Sequence, residues 1–216
     1  MSARDNILAR VRARQGKPEA PTADEHGAVD SYIATHPQSA RPRIEADLRA
    51  LFRSRALALA TTVDEVASPD AVPEAVAAYL RDGGLALSAV CWPALAELAW
   101  GAAGVDVVAR AARDGDAVGI TGAFCAIAET GTLLLLSGRE TPATVSLLPE
   151  THIAVVRTAR IVSGMEDAWA LLRAERGAPP RAVNFISGPS RTADIEQTVT
   201  LGAHGSYRAH IILVSA

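Results

Sequence analysis

Residues 117–137 read "AVGITGAFCAIAETGTLLLLS", and they set the architecture. The two apolar runs are continuous rather than alternating, which suits strands buried on both faces. Between them, Glu129, Thr130, Gly131 and Thr132 have the composition of a tight turn, with Gly131 free to take positive φ. A hairpin tip with solvated polar residues accounts for that stretch; a site needing a carboxylate between hydroxyls accounts for it equally. Strands buried on both faces need helices as cover, and that makes an α/β protein. The neighbouring segments agree. "ALATTV" (58–63), "LALSAV" (85–90), "VDVVA" (105–109), "THIAVVR" (151–157), "AVNFIS" (182–187) and "RAHIILV" (208–214) read as further strands. Helical spacing covers residues 41–57, where Ile44, Leu48, Leu51 and Phe52 share a face. It also covers 68–84, with Ser68 or Asp70 as cap and Gly83-Gly84 as stop, and then 165–176. The expected fold is one α/β domain with a largely parallel central sheet over residues 37–216, behind an N-terminal helix and linker at 1–36. The helix spans 2–14 with Ser2 as cap, and "GKPEAPTADEHG" (16–27) reads as linker.

Composition narrows the function. With 49% hydrophobic but only 4% aromatic residues, the core is aliphatic. A net charge of -3 gives no general attraction to nucleic acid or anionic membrane, so small molecules or proteins are the expected partners. No apolar stretch is long enough and uncharged enough to span a membrane, and no secretory signal follows the basic N-terminus. Cys91 and Cys125 lie far apart, without the spacing of a zinc or iron–sulfur site, and His26, His36, His152, His204 and His210 show no ligand spacing. No metal is expected on the chain, and the cysteine usage fits a reducing cytoplasm. Lys17 is the sole lysine. The body therefore has no Schiff-base lysine and no Gly-Lys-Ser phosphate loop, and arginine must carry any anion recognition.

Two more loops are polar where ligands could sit; in open α/β sheets that place is the carboxyl end of the strands. "LPETHIAVV" (148–156) puts Glu150 and His152 at a strand entry, and an imidazole there is a candidate acid or base. "NFISGPSRTADIE" (184–196) ends a strand and is expected to open a helix capped by Ser190 or Thr192. Amides of Ser187, Gly188 and Ser190, with the Arg191 guanidinium, could hold a carboxylate or phosphate. Alternatively Arg191 pairs with Asp194 three residues on, which stabilises by only about 0.3–0.5 kcal/mol.

"GITGAFCAIAETGTLLLL", "LLPETHIAVV" and "NFISGPSRTADIEQTVTLGAHG", in this order, resemble the LUD-domain family, and within it the lactate-utilisation protein C branch, over residues 40–214. The resemblance implies a NagB/RpiA/CoA-transferase-like fold. It also implies a part in oxidising L-lactate to pyruvate with partner proteins that carry the iron–sulfur clusters, this chain itself holding no cofactor. Carried onto this sequence, the family's polar positions are Thr121, Glu129, Thr130, Gly131, Thr132, Glu150, His152, Ser187, Gly188, Ser190, Arg191, Asp194, Glu196, His204 and Gly205. Among these positions Glu129 and His152 are the candidate catalytic residues, either one as a base toward the lactate hydroxyl or an adjacent proton. Thr121, Thr130, Gly131, Thr132, Ser187, Gly188, Ser190, Arg191 and Asp194 are the candidate substrate-binding residues. Ser206 stands where proline is usual, which is expected to loosen the turn before the last strand. Two other functions fit the same residues: a non-redox acyl- or phospho-substrate enzyme with Glu129 as nucleophile, and a non-catalytic subunit that docks an iron–sulfur partner.

Overall fold

The long apolar stretch at 117–137 divides between two sheets. In the computed structural model, which describes residues 2–44, 47–193 and 198–215, it forms three strands. In chain order the elements are α1 (Ala3–Arg14), α2 (Ala23–Thr35), α3 (Leu48–Ala58), β1 (Thr62–Val66), α4 (Val72–Asp82), β2 (Ser88–Cys91), β3 (Asp106–Ala109), β4 (Val118–Gly122), β5 (Cys125–Ile127), β6 (Thr132–Leu136), α5 (Thr144–Leu147), β7 (Thr151–Arg157), β8 (Ile161–Val162), α6 (Met165–Arg176), β9 (Val183–Ile186), β10 (Arg191–Thr192), β11 (Thr200–Leu201) and β12 (Arg208–Val214). Contacts divide the chain into two compact units, Met1–Arg43 and Ile44–Ala216.

The central sheet has six strands in the order β1-β12-β7-β4-β2-β3, and every pairing in it is parallel. This is the α/β architecture with a parallel sheet that the apolar runs predict. A second sheet, β8-β5-β6-β9, is mixed: β5 and β6 form an antiparallel hairpin and β8 runs parallel to β5. The backbone changes sheets at Ala123 and Phe124, between β4 and β5. Continuous apolarity conceals that step, because both sheets are buried on the faces concerned.

Three apolar clusters fill the layers. Val76 and Leu80 of α4 pack on one face of the central sheet with Ile120, Ile153 and Ile212. Phe52 and Ala56 of α3 pack with Ala154, Val156, Ile211 and Leu213 on the other face, and Leu133 and Leu135 of the second sheet join them. Leu172 of α6 covers the far face of the second sheet with Cys125, Ile127 and Leu134.

Local signals explain most boundaries. Asp47 accepts from the Arg49 amide and starts α3, so the helix expected from residue 41 begins at Leu48, after non-helical residues 41–44. Ser68 makes no side-chain cap bond; a short 3₁₀ turn at Pro69–Ala71 leads into α4 instead. In the N-terminal unit, Ser2 and Asp5 form a capping box on α1. The expected linker at 16–27 is corrected: Thr22 and Glu25 form a second capping box, and α2 begins within it. Arg12 and Lys17 both pair with Glu25, at 2.6 and 2.9 Å, and hold that carboxyl down at about 2, chiefly through Arg12. No described helix is long and apolar enough to cross a membrane.

β4 passes beneath α5 so closely that one position admits no side chain. A Cβ on Gly119 would lie 2.0 Å from the Val145 carbonyl oxygen and 2.9 Å from the Pro149 ring. Gly119→Ala is therefore expected to lower the unfolding free energy by about 1–3 kcal/mol, measured by urea denaturation against the parent chain.

Candidate functional site

Two of the polar loops meet at one cleft of about 300 Å³, where His152, Ser187, Gly188, Ser190 and Arg191 share a wall with Gly205 and Ser206. His152 comes from the second residue of β7, Ser187–Arg191 from the segment after β9, and Gly205-Ser206 from the turn before β12. The cleft thus opens at the amino ends of β7 and β12, not at the carboxyl ends where parallel sheets usually bind ligands.

Other predicted positions stand behind the lining and hold it. Thr121 Oγ1 lies 2.8 Å from His152 Nε2, both residues being buried. Nδ1 makes no hydrogen bond among the described residues, and His152 is one of the residues that line the cleft. Burial pushes His152 down to about 4, and the imidazole is neutral at neutral pH. A second chain of hydroxyls runs from Thr130 to Thr132, 2.7 Å, and from Thr132 to Ser187, 2.6 Å. It ties the β5–β6 turn to the cleft wall.

The glycines of these loops are fixed by close approach. Gly131 has φ +66°, and a Cβ there would sit 2.7 Å from the Ala56 amide nitrogen. Gly188 has φ +74°, and a Cβ would lie 2.6 Å from the Leu59 carbonyl oxygen. Arg191 Nη2 donates to that same carbonyl at 3.2 Å, a cation at the carbonyl end of α3. Arg191 remains exposed and lines the cleft, with further N–H groups to offer.

The helix expected at "TADIE" is corrected in its opening: Arg191 and Thr192 form β10, paired antiparallel with Leu201 and Thr200. Ser190 is tied by its backbone instead, its N–H donating to Ser206 at 2.9 Å and its carbonyl accepting from Gly202 at 3.0 Å. That amide is not available to an anion. Asp194 and Glu196 lie outside the described residues. Glu129 is half-buried on the hairpin, its N–H donating to the Ser163 carbonyl, and it does not line the cleft. Glu150 is exposed beside Arg208, and His204 is exposed.

Ser206 was missed as a site residue, and the turn around it is not loose. Its hydroxyl donates to the Pro149 carbonyl at 2.8 Å and lies 3.3 Å from that of Ser146, which pins the approach to β12 against the approach to β7. A buried serine between glycine and tyrosine carries no sequence signal for such a tie.

An α/β chain with a parallel sheet, a mixed second sheet and a hydroxyl-lined cleft beside one arginine is the class that this geometry defines. The LUD domain model matches residues 98–214, and the chain belongs to that family. Lactate utilization protein C of Bacillus subtilis is 43% identical over 101 residues, covering 45% of this chain and 42% of that protein. The Bacillus licheniformis protein of the same name is 36% identical over 129 residues, covering 57% and 53%. These similarities fall in the lactate-utilisation protein C branch, and the chain spans about half the length of the curated relatives it matches. A crystal structure of a DUF162 family protein from Deinococcus radiodurans superposes with TM-score 0.60 at 25% identity, covering 80% of this chain and 99% of that one.

A second buried imidazole lies on the opposite face of the sheet. His210 Nδ1 is 2.8 Å from Thr62 Oγ1, and its ring stacks on Tyr79 at 4.0 Å. Burial pushes it to about 4, with the Asp64 carboxylate opposing. Both histidines thus titrate below the ordinary value of 6.5 when folded. Stability is full above the unfolded value and falls as pH drops from about 6.5 through 4, because the unfolded chain binds the protons first. Each histidine contributes a slope of up to about 1.4 kcal/mol per pH unit in that window. Urea titrations at stepped pH are expected to show it, and His152→Gln to flatten it by one proton.

Proposed function

We propose that the chain is a component of an L-lactate utilisation system and binds a small carboxylate in the cleft of His152 and Arg191. The observation that carries this reading is the convergence of His152 and the Ser187–Arg191 segment, distant in sequence, on one small cleft. A 2-hydroxy acid needs a cation for its carboxylate and an acceptor for its hydroxyl. Arg191 supplies the first, with Ser187 and Ser190 hydroxyls beside it; a charged hydrogen bond of this kind contributes about 1.5–3 kcal/mol. Neutral His152, in the tautomer whose Nε2–H donates to Thr121 Oγ1, supplies the second at Nδ1 and is the group placed to take the hydroxyl proton. Thr121 and Thr132 act as positioning residues, holding His152 and Ser187.

Oxidation of L-lactate to pyruvate releases two electrons and two protons. In this proposal the electrons pass to iron–sulfur partner proteins in the cytoplasm. The chain's own two cysteines are too few for the usual four-thiolate cluster, and both are buried with thiols pushed up to about 11.

Titration calorimetry with L-lactate and pyruvate tests the site. Arg191→Ala is expected to raise the dissociation constant at least tenfold while a thermal melt confirms that the variant is folded. Unchanged affinity in the folded variant would remove Arg191 from the site.

A further inference from the structure

The carboxyl ends of the parallel strands carry a cleft of their own, about 490 Å³, remote in sequence and in lining from that of Arg191. Trp92 follows β2, Gly122 ends β4, and Arg157 ends β7, so three adjacent strands point into it. This is the end of a parallel sheet at which α/β folds bind ligands. Its volume falls within the range of small-molecule sites.

The walls are of two kinds. One is apolar and rigid. Trp92 is almost fully buried, its indole N–H donating to the Pro142 carbonyl at 3.0 Å, and Leu95, Phe124 and Val155 stand nearby. The other is cationic. Arg157, Arg160 and Arg176 line the cleft against a single carboxylate, Glu175. Arg160 is already committed: it grips Glu175 with both terminal nitrogens at 2.5 and 3.0 Å, donates from Nε to the Phe124 carbonyl, and lies 4.7 Å over the Phe124 ring. Glu175 is thereby neutralised. The Arg157 and Arg176 side chains are exposed, line the cleft and make no side-chain hydrogen bond or ion pair within 4 Å among the described residues; the Arg176 charge also helps to hold Glu175 ionised.

We propose that this cleft is a second ligand site, separate from that of the proposed function, and that it takes a mononucleotide. The dianionic phosphate meets Arg157 and Arg176, whose forked donors match phosphate oxygens, and the flat base lies along the Trp92–Phe124 wall. Two cationic side chains answer the two charges of a phosphate monoester, where a monocarboxylate would leave one unmatched. Neither arginine belongs to the Arg191 cleft, so the two sites fail or stand independently.

The test is calorimetry of the full chain with AMP and, separately, with inorganic phosphate. AMP is expected to bind with an affinity at least tenfold above that of inorganic phosphate. The Arg157→Ala/Arg176→Ala double variant is expected to lose at least tenfold in AMP affinity, and Arg191→Ala to lose none. Both substituted arginines are on the surface, and a melt checks the fold; Arg157→Glu supplies a second variant with the same expected direction. Absence of AMP binding to the parent chain overturns the proposal. So does equal AMP affinity in the folded double variant, or phosphate binding as tightly as AMP.

Discussion

Two glycines press against the last turn of α3 at distances that no Cβ could occupy. Gly131 meets the backbone at Arg55 and Ala56, and Gly188 meets the carbonyl of Leu59. One belongs to the β5–β6 hairpin, the other to the segment after β9, so the end of a single helix gauges the positions of two loops. Arg191 adds a hydrogen bond to the same Leu59 carbonyl. The helix is itself anchored by Phe52 and Ala56, both fully buried. Everything that lines the cleft on that side inherits its place from this contact. Close packing lets the error in a loop position be small, because neither surface can yield.

The same economy appears in the polar groups. Thr121, Thr132 and Ser206 are buried hydroxyls, and each has a partner: a ring nitrogen, another hydroxyl, or a carbonyl. Burying a hydroxyl unpaired costs about 1–3 kcal/mol, so their pairing is required by stability before function is considered. What the pairing leaves over is informative. His152 keeps one ring nitrogen, and Arg191 keeps several N–H groups, without a hydrogen bond among the described residues, and both residues line the cleft. A guanidinium that caps a helix end is also oriented by it, and structural and recognition roles need not compete.

Much of this was legible in the sequence. Continuous apolar runs gave the parallel sheet, and the helix at 165–176 and the strands at 151–157 and 208–214 fall where periodicity put them. His152 and Arg191 were marked by residue type at a strand boundary. Other features left weaker traces. The passage from β4 to β5 changes sheets without changing hydropathy. α2 was signalled by Thr22 and Glu25 at capping-box spacing, yet Pro18, Pro21 and Gly27 around them read as linker. Thr192 has the residue type of a helix start, but its pairing with Thr200 is a long-range contact that local propensity does not report. The turn at Glu129 joined a real hydroxyl chain to a carboxylate that does not reach the cleft, and adjacency in sequence cannot separate them.

Both cysteines are interior, Cys91 among the apolar residues under α4 and Cys125 under α6, with thiols that burial keeps protonated. Thiolate is the form that alkylating reagents and peroxide attack. The two thiols of the folded chain are therefore chemically quiet. A cysteine introduced on its surface would be the fast-reacting one, and a dye attached at the rim of either cleft would report on that cleft without a competing label.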